Sequence, residues 1–129
     1  MELRFKAPED LFNQEQLEVI AEFLKFLHNE IPLEEIKLRF VKNKDDKMTT
    51  GVREPNGEIR ILAGGRMLLD VLRTLAHEWI HEGQVKLLGW GNGETNIGGP
   101  HENQANALAG TYLKEFQAMY PNFKEILYK

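Results

Sequence analysis

The chain contains no cysteine. Disulfide bonds and thiolate metal sites are therefore excluded, so any metal ion must be held by histidine and carboxylate side chains. The sequence also has no apolar run near the roughly 18 residues that read as a transmembrane helix. Its N-terminal residues lack the apolar segment of a secretory signal peptide. These absences predict a cytoplasmic protein that has no membrane partner.

The sequence has no excess of positive charge. Its formal net charge is -4, and lysine and arginine are scattered along the chain without a basic stripe. Nucleic acid is therefore not expected as the main partner. The composition is globular, with 42% hydrophobic residues in a chain of 129. That length suffices for one core and predicts a single domain over residues 1–129.

The most informative motif is His77-Glu78-Trp79-Ile80-His81, inside a segment, residues 67–88, that has the apolar period of a helix. Histidines four residues apart on a helix project from one face, so His77 and His81 can bind the same Zn²⁺. Glu78 then lies beside the metal. Its carboxylate could act as general base on a zinc-bound water, whose pKa the ion lowers to roughly 7. The motif predicts a zinc cofactor.

The alternative is a chance match on an amphipathic helix, and the neighbouring residues argue against it. At about 100° per residue the apolar residues share one side of the helix. They are Leu68, Leu72, Leu75 and Trp79. The two histidines fall on the opposite side, with Asp70, Thr74 and Gln84. Ligands at the floor of a cleft are expected on that polar side.

A catalytic zinc site usually needs a third protein ligand. A glycine-rich segment, residues 89–100, predicts a long loop, and a helix is predicted from His101 to about Tyr120. Glu102 and Asn106 share one face of that helix, and neighbouring alanines would allow it to approach the metal helix closely. Glu102 could then bind the zinc, while Asn106, one turn later, could accept a hydrogen bond from the far ring nitrogen of a ligand histidine.

His101 competes with Glu102 for the third position. It points about 100° away from Glu102 on the helix, so the two are not expected to bind the ion together. Asn106 favours Glu102 as the third ligand, because it lies on the same face of the helix and could hydrogen-bond a ligand histidine. If Glu102 is the ligand, His101 could hydrogen-bond a developing oxyanion or only begin the helix. Tyr112 is the other oxyanion candidate, although its main expected role is in the core.

The residues before the motif predict the rest of the fold. An apolar stripe predicts a helix from about Leu11 to Glu30, and alternation predicts a strand at Ile36–Val41. Segments 48–54 and 58–62 flank the turn sequence Pro55-Asn56-Gly57 and predict a hairpin. The fold class is therefore α+β, with a small, mainly antiparallel sheet of three strands covered by helices.

The last of those strands, Ile59-Arg60-Ile61-Leu62-Ala63, directly precedes the metal helix. As an edge strand, it could bind an extended peptide by backbone pairing. The alternative is an edge left in solvent.

The motif, followed after a loop by Glu102 on a second helix and by Asn106 four residues later, resembles the gluzincin metallopeptidases. The resemblance covers roughly residues 36–120. The helix from Glu102 is also similar to that of the small ImmA/IrrE proteases, with Gln104 where a second glutamate is common. The metzincin pattern is excluded, because Gln84 and Leu87 stand where it needs glycine and histidine.

The gluzincin resemblance implies a zincin-like domain with an active-site helix and a glutamate helix. It implies a zinc metalloendopeptidase, a hydrolase of peptide or protein substrates, and leaves the oligomeric state open. Two alternatives remain. One is a catalytically silent or self-inhibited binding module that recognises a protein partner, with residues 122–129 as a candidate inhibitory tail. The other is a zinc hydrolase acting on a non-peptide amide.

Overall fold

The computed structural model describes residues 2–44, 50–89 and 100–129, except for the side chains of Leu88, Pro100 and His101. These residues form an α+β structure. A 3-10 turn, Pro121–Phe123, precedes the last helix. In chain order the described elements are β1 (Glu2–Lys6), α1 (Gln14–Glu30), β2 (Glu35–Val41), β3 (Gly51–Arg53), β4 (Glu58–Leu62), α2 (Leu68–Leu88), α3 (Pro100–Met119) and α4 (Lys124–Leu127).

Helix α1 begins three residues after the predicted start because its cap, and not its apolar stripe, fixes the first turn. The Asn13 side chain accepts from the Gln16 backbone N–H at 2.8 Å, and the Gln16 side chain accepts from the Asn13 N–H at 2.9 Å. This capping box satisfies two backbone donors that would otherwise lack partners. The helix ends at Glu30, two residues before Pro32, as the sequence predicts.

The predicted three-stranded, mainly antiparallel sheet is wrong in strand number and direction. The described sheet has four strands in the order β1-β2-β4-β3. The β3–β4 hairpin is antiparallel, as predicted, whereas β1–β2 and β2–β4 are parallel pairs. Alternating side chains reveal a strand but not its neighbours. The first strand, β1, is predicted only as a short extended start.

The predicted edge strand at residues 59–63 is also wrong. Its strand, β4, lies between β2 and β3, and Ile59 and Ile61 are completely buried. Among the described strands, β3 instead forms this edge of the sheet, since it pairs with β4 alone. The short strand Gly51–Arg53 therefore takes the place that the sequence analysis gave to β4.

Helix α2 packs on the core with the predicted apolar stripe. Its members, Leu68, Leu72, Leu75 and Trp79, are buried. The Trp79 indole N–H also donates to the carbonyl of Ile31 at 3.1 Å, which fastens α2 to the end of α1. The helix ends at Gly89, whose φ of 66° is the left-handed conformation that suits glycine.

Helix α3 lies against α2, and two small side chains, Ala105 and Ala109, are buried there as predicted. The C-terminal residues continue over the core, where Leu127 is completely buried and α4 contacts α1 and α2. The tail at residues 122–129 therefore packs on the core and not as an inhibitory segment in a cleft. No described helix is long and apolar enough to cross a membrane.

Candidate metal centre

Three side chains from two helices converge on one point. His77 and His81 project from α2, and Glu102 projects from the first turn of α3. The Nε2 atoms of the histidines are 3.1 Å apart. His77 Nε2 lies 2.8 Å from Glu102 Oε1, and His81 Nε2 lies 3.0 Å from Glu102 Oε2. The close approach of α3 over its alanines brings the carboxylate to the imidazole pair.

The spacing of these atoms fits a metal ion. Candidate ligand atoms of His77, His81 and Glu102 all lie within 4.8 Å of one another, so the group could hold an ion. Ligand atoms of a tetrahedral zinc site lie about 3.3 Å apart, given metal–nitrogen bonds of about 2.0–2.1 Å. The observed separations of 2.8 to 3.1 Å differ from that value by a few tenths of an ångström. Small side-chain rotations would accommodate an ion.

The cluster is shielded but open on one side. The exposed fractions of the side chains are 18% for His77, 11% for His81 and 33% for Glu102. His77 and Glu102 border a cleft of about 330 Å³ that also reaches Thr50 and Gly51 at the edge strand. A larger groove of about 480 Å³ near the ends of β1 and β2 has no histidine or acid among its described lining residues. The smaller cleft therefore holds the candidate metal ligands His77 and Glu102.

Glu78 lies in the same cleft, beside the cluster. Burial raises the pKa of this carboxyl from 4.5 to about 7; the negative charge of Glu102 adds to this, while His81 and Arg53 act in the opposite direction. Edge strand β3 passes directly over it. A methyl group on Gly51 would lie 2.6 Å from the Thr74 Cγ2 atom and 3.4 Å from Glu78. Only glycine at this position lets the strand approach the helix so closely.

The surroundings of His77 favour its neutral imidazole. Burial lowers its pKa, and neighbouring His81 lowers it further, while Glu102 and a hydrogen bond with the Asn106 side chain act in the opposite direction. The neutral imidazole is the form that binds a metal ion. The Asn106 side chain thus lies within hydrogen-bonding reach of His77 and lines the same cleft.

Sequence reasoning missed the residues that orient His81. Its Nδ1 atom lies 2.8 Å from Gln84 Oε1, and the Gln84 amide donates to Gln104 Oε1 at 2.9 Å. When Nε2 of His81 binds a metal ion, Nδ1 carries the ring proton, and Gln84 Oε1 accepts it. The sequence could have indicated Gln84, because a residue three positions after His81 on the polar face of the helix lies next to it.

Sequence reasoning also missed a buried ion pair that joins the edge strand to α2. Arg53 Nε on β3 lies 2.7 Å from Glu82 Oε1, and the exposed fractions of the two side chains are 13% and 2%. Removing one partner would leave a buried charge without compensation, which is strongly destabilising. The pair therefore fixes β3 beside Glu78.

The other candidate residues are His101 and Tyr112. The backbone of His101 belongs to the first turn of α3, but its side chain lies outside the described part of the structure. Tyr112 is buried, with its ring centroid 5.8 Å from that of Phe26, and it is not among the described lining residues of the cleft. Tyr112 is therefore a core residue. The predicted glycine-rich loop falls largely on residues 90–99, which lie outside the described part of the structure.

Comparisons of the chain with protein-family models, with curated proteins and with solved structures found no match. Two imidazoles and a carboxylate meet within reach of one metal ion, and a second carboxylate stands beside them in an open cleft.

Proposed function

We propose that the protein is a zinc metallopeptidase of the gluzincin type. His77, His81 and Glu102 hold Zn²⁺, and Glu78 is the general base. The convergence of the three ligand atoms within 4.8 Å carries the proposal. Two imidazole nitrogens and one carboxylate oxygen, with an open side for water or substrate, are the donor set of catalytic zinc sites such as those of zinc proteases. The absence of cysteine from the chain fits the same choice.

When bound, Zn²⁺ supplies Lewis acidity that polarises the scissile carbonyl and makes water more acidic. The residues of the chain supply the proton transfers. Glu78 accepts a proton from the attacking water while the water oxygen bonds to the carbonyl carbon. It then delivers that proton to the leaving nitrogen as the C–N bond breaks. The hydrogen bonds of His77 with Asn106 and of His81 with Gln84 keep both imidazoles oriented.

The edge strand supports a peptide as substrate. Strand β3 pairs only with β4 among the described strands, and it runs beside Glu78. An extended peptide could hydrogen-bond to the edge of β3 that no described strand covers, with its scissile bond near the three converging side chains. The Arg53–Glu82 ion pair holds β3 against α2, and so keeps the strand beside Glu78.

Hydrolysis should depend on zinc. We expect the protein, loaded with Zn²⁺, to cleave unfolded peptides, to lose that activity on treatment with a chelator and to regain it when zinc is returned. Mass spectrometry of a peptide panel measures cleavage, and elemental analysis of the purified protein measures zinc. A catalytically silent binding module would instead bind zinc without cleaving any peptide. Cleavage that persists in the zinc-free protein would contradict the proposal.

Gln84→Ala should weaken zinc binding. The substitution removes the acceptor that orients His81, and loss of such a partner typically costs about 10–100-fold in metal affinity. Competition with a chromophoric chelator measures the dissociation constant. Gln117→Ala is the control, because Gln117 is also on a helix but hydrogen-bonds Leu113 and Tyr128. Equal zinc affinity in both variants would exclude a role for Gln84 at the site.

A further inference from the structure

The cleft contains one basic side chain that the proposed mechanism does not use. Arg73 is the only lysine or arginine among the described residues that line it. Its side chain is 58% exposed. It forms an ion pair with Asp70, which is also exposed, at 3.6 Å between Arg73 Nη1 and Asp70 Oδ1. Exposed ion pairs of this kind contribute at most about 1 kcal/mol. The guanidinium group can therefore leave Asp70 for a stronger partner in the cleft.

The position of Arg73 relative to the metal centre sets the distance at which it could act. It precedes His77 by four residues and thus lies on the same side of α2, one turn away, about 6 Å along the helix axis. An extended peptide advances about 3.3 Å per residue. A substrate group that meets Arg73 therefore lies about two residues from the scissile bond.

The edge strand sets the direction. Gly51 faces Thr74 and Glu78, whereas Arg53 binds Glu82, so β3 and α2 run the same way at this point. Antiparallel pairing is more common than parallel pairing and slightly more stable. A peptide antiparallel to β3 has its C-terminal part toward Thr74 and hence toward Arg73.

We propose that Arg73 selects substrates that carry a carboxylate about two residues on the C-terminal side of the scissile bond. This inference rests on the proposed function and names the substrate class of the same site. A guanidinium group binds a carboxylate through two parallel hydrogen bonds, which lysine cannot reproduce. The carboxylate can be an aspartate or glutamate side chain, or the free C-terminus of the substrate.

The test begins with a peptide that the wild-type protein cleaves, found in a randomised library. Four versions are compared: glutamate or glutamine at the second position after the scissile bond, and a chain ending there as a free carboxylate or as an amide. In the wild type, we expect kcat/KM for the acidic peptide to exceed that for its neutral counterpart by about 10-fold or more in at least one of the two pairs. Arg73→Gln should abolish the difference, and Arg73→Glu should favour lysine at that position.

The glutamate–glutamine pair tests a side-chain carboxylate, and the pair with a free or amidated C-terminus tests a terminal carboxylate. Lys86→Gln is the matched control, because Lys86 is exposed on the same helix and outside the described cleft lining; it should keep the wild-type ratio. An unchanged ratio in Arg73→Gln overturns the inference, and so does a preference for an acid only on the N-terminal side. In either case the proposed peptidase function would stand.

Binding provides a readout that does not require hydrolysis. The same four peptides, labelled with a fluorophore, can be titrated against the zinc-loaded Glu78→Gln variant and followed by anisotropy. Tighter binding of an acidic version, lost when Arg73→Gln is added, supports selection by Arg73 even if the wild type cleaves nothing. Equal binding of acidic and neutral versions overturns it. Failure of hydrolysis alone would therefore count against the peptidase and not against the recognition of carboxylates.

Discussion

Glu78→Gln is expected to lower peptide hydrolysis by about 10²- to 10⁴-fold, the usual contribution of a positioned general base. Glutamine has the size of glutamate and can form hydrogen bonds, but its amide does not accept a proton from water. Glu78 is not one of the three converging ligands, so zinc affinity should remain that of the wild type. The loss should fall on kcat, with KM changed little. Steady-state kinetics on a cleaved peptide and elemental analysis measure both quantities.

The matched control is Glu115→Gln, which makes the same chemical change at an exposed position of α3. Its activity should equal that of the wild type. The melting temperature of Glu78→Gln should not be lower than that of the wild type, because the substitution keeps the volume and removes a carboxyl group whose ionised form its surroundings disfavour. If the variant binds zinc, is folded and hydrolyses peptides at the wild-type rate, Glu78 is not the base.

The polar and apolar faces of α2 could be predicted from the sequence because they depend on one helix alone. A regular period of 3.6 residues places Trp79 inward and the two histidines outward whatever the helix packs against. The approach of Glu102 needed one more assumption, that the small residues of α3 face α2. Buried Ala105 and Ala109 satisfy that assumption.

The sheet could not be predicted in the same way. The period of two identifies β2 and β4 as strands, but the parallel pairing between them depends on which edges meet after the chain has turned. The same limit applies to the Gln84–Gln104 hydrogen bond and the Arg53–Glu82 ion pair. Each joins residues from separate elements, so no local spacing reveals the partner.

Glu102→Ala is expected to weaken zinc binding by more than about 100-fold. Loss of a residue that only orients a ligand typically costs about 10–100-fold, and Glu102 is itself the proposed ligand. The variant leaves two imidazoles and removes the only carboxylate of the cluster. A Zn²⁺ site without that negative charge also pays more to desolvate the ion. Competition with a chromophoric chelator measures the dissociation constants of the variant and the wild type.

Thermal unfolding gives an independent measure, because an ion that binds only the folded state stabilises it. At free zinc 100 times the wild-type dissociation constant, the gain is about 2.7 kcal/mol, whereas a 100-fold weaker site gains only about 0.4 kcal/mol. The zinc-induced rise in melting temperature should thus nearly vanish in Glu102→Ala and persist in His101→Ala. The reverse result would make His101 the third ligand. It would also place the third ligand about 140° around α3 from Asn106, which the hydrogen bond between Asn106 and His77 argues against.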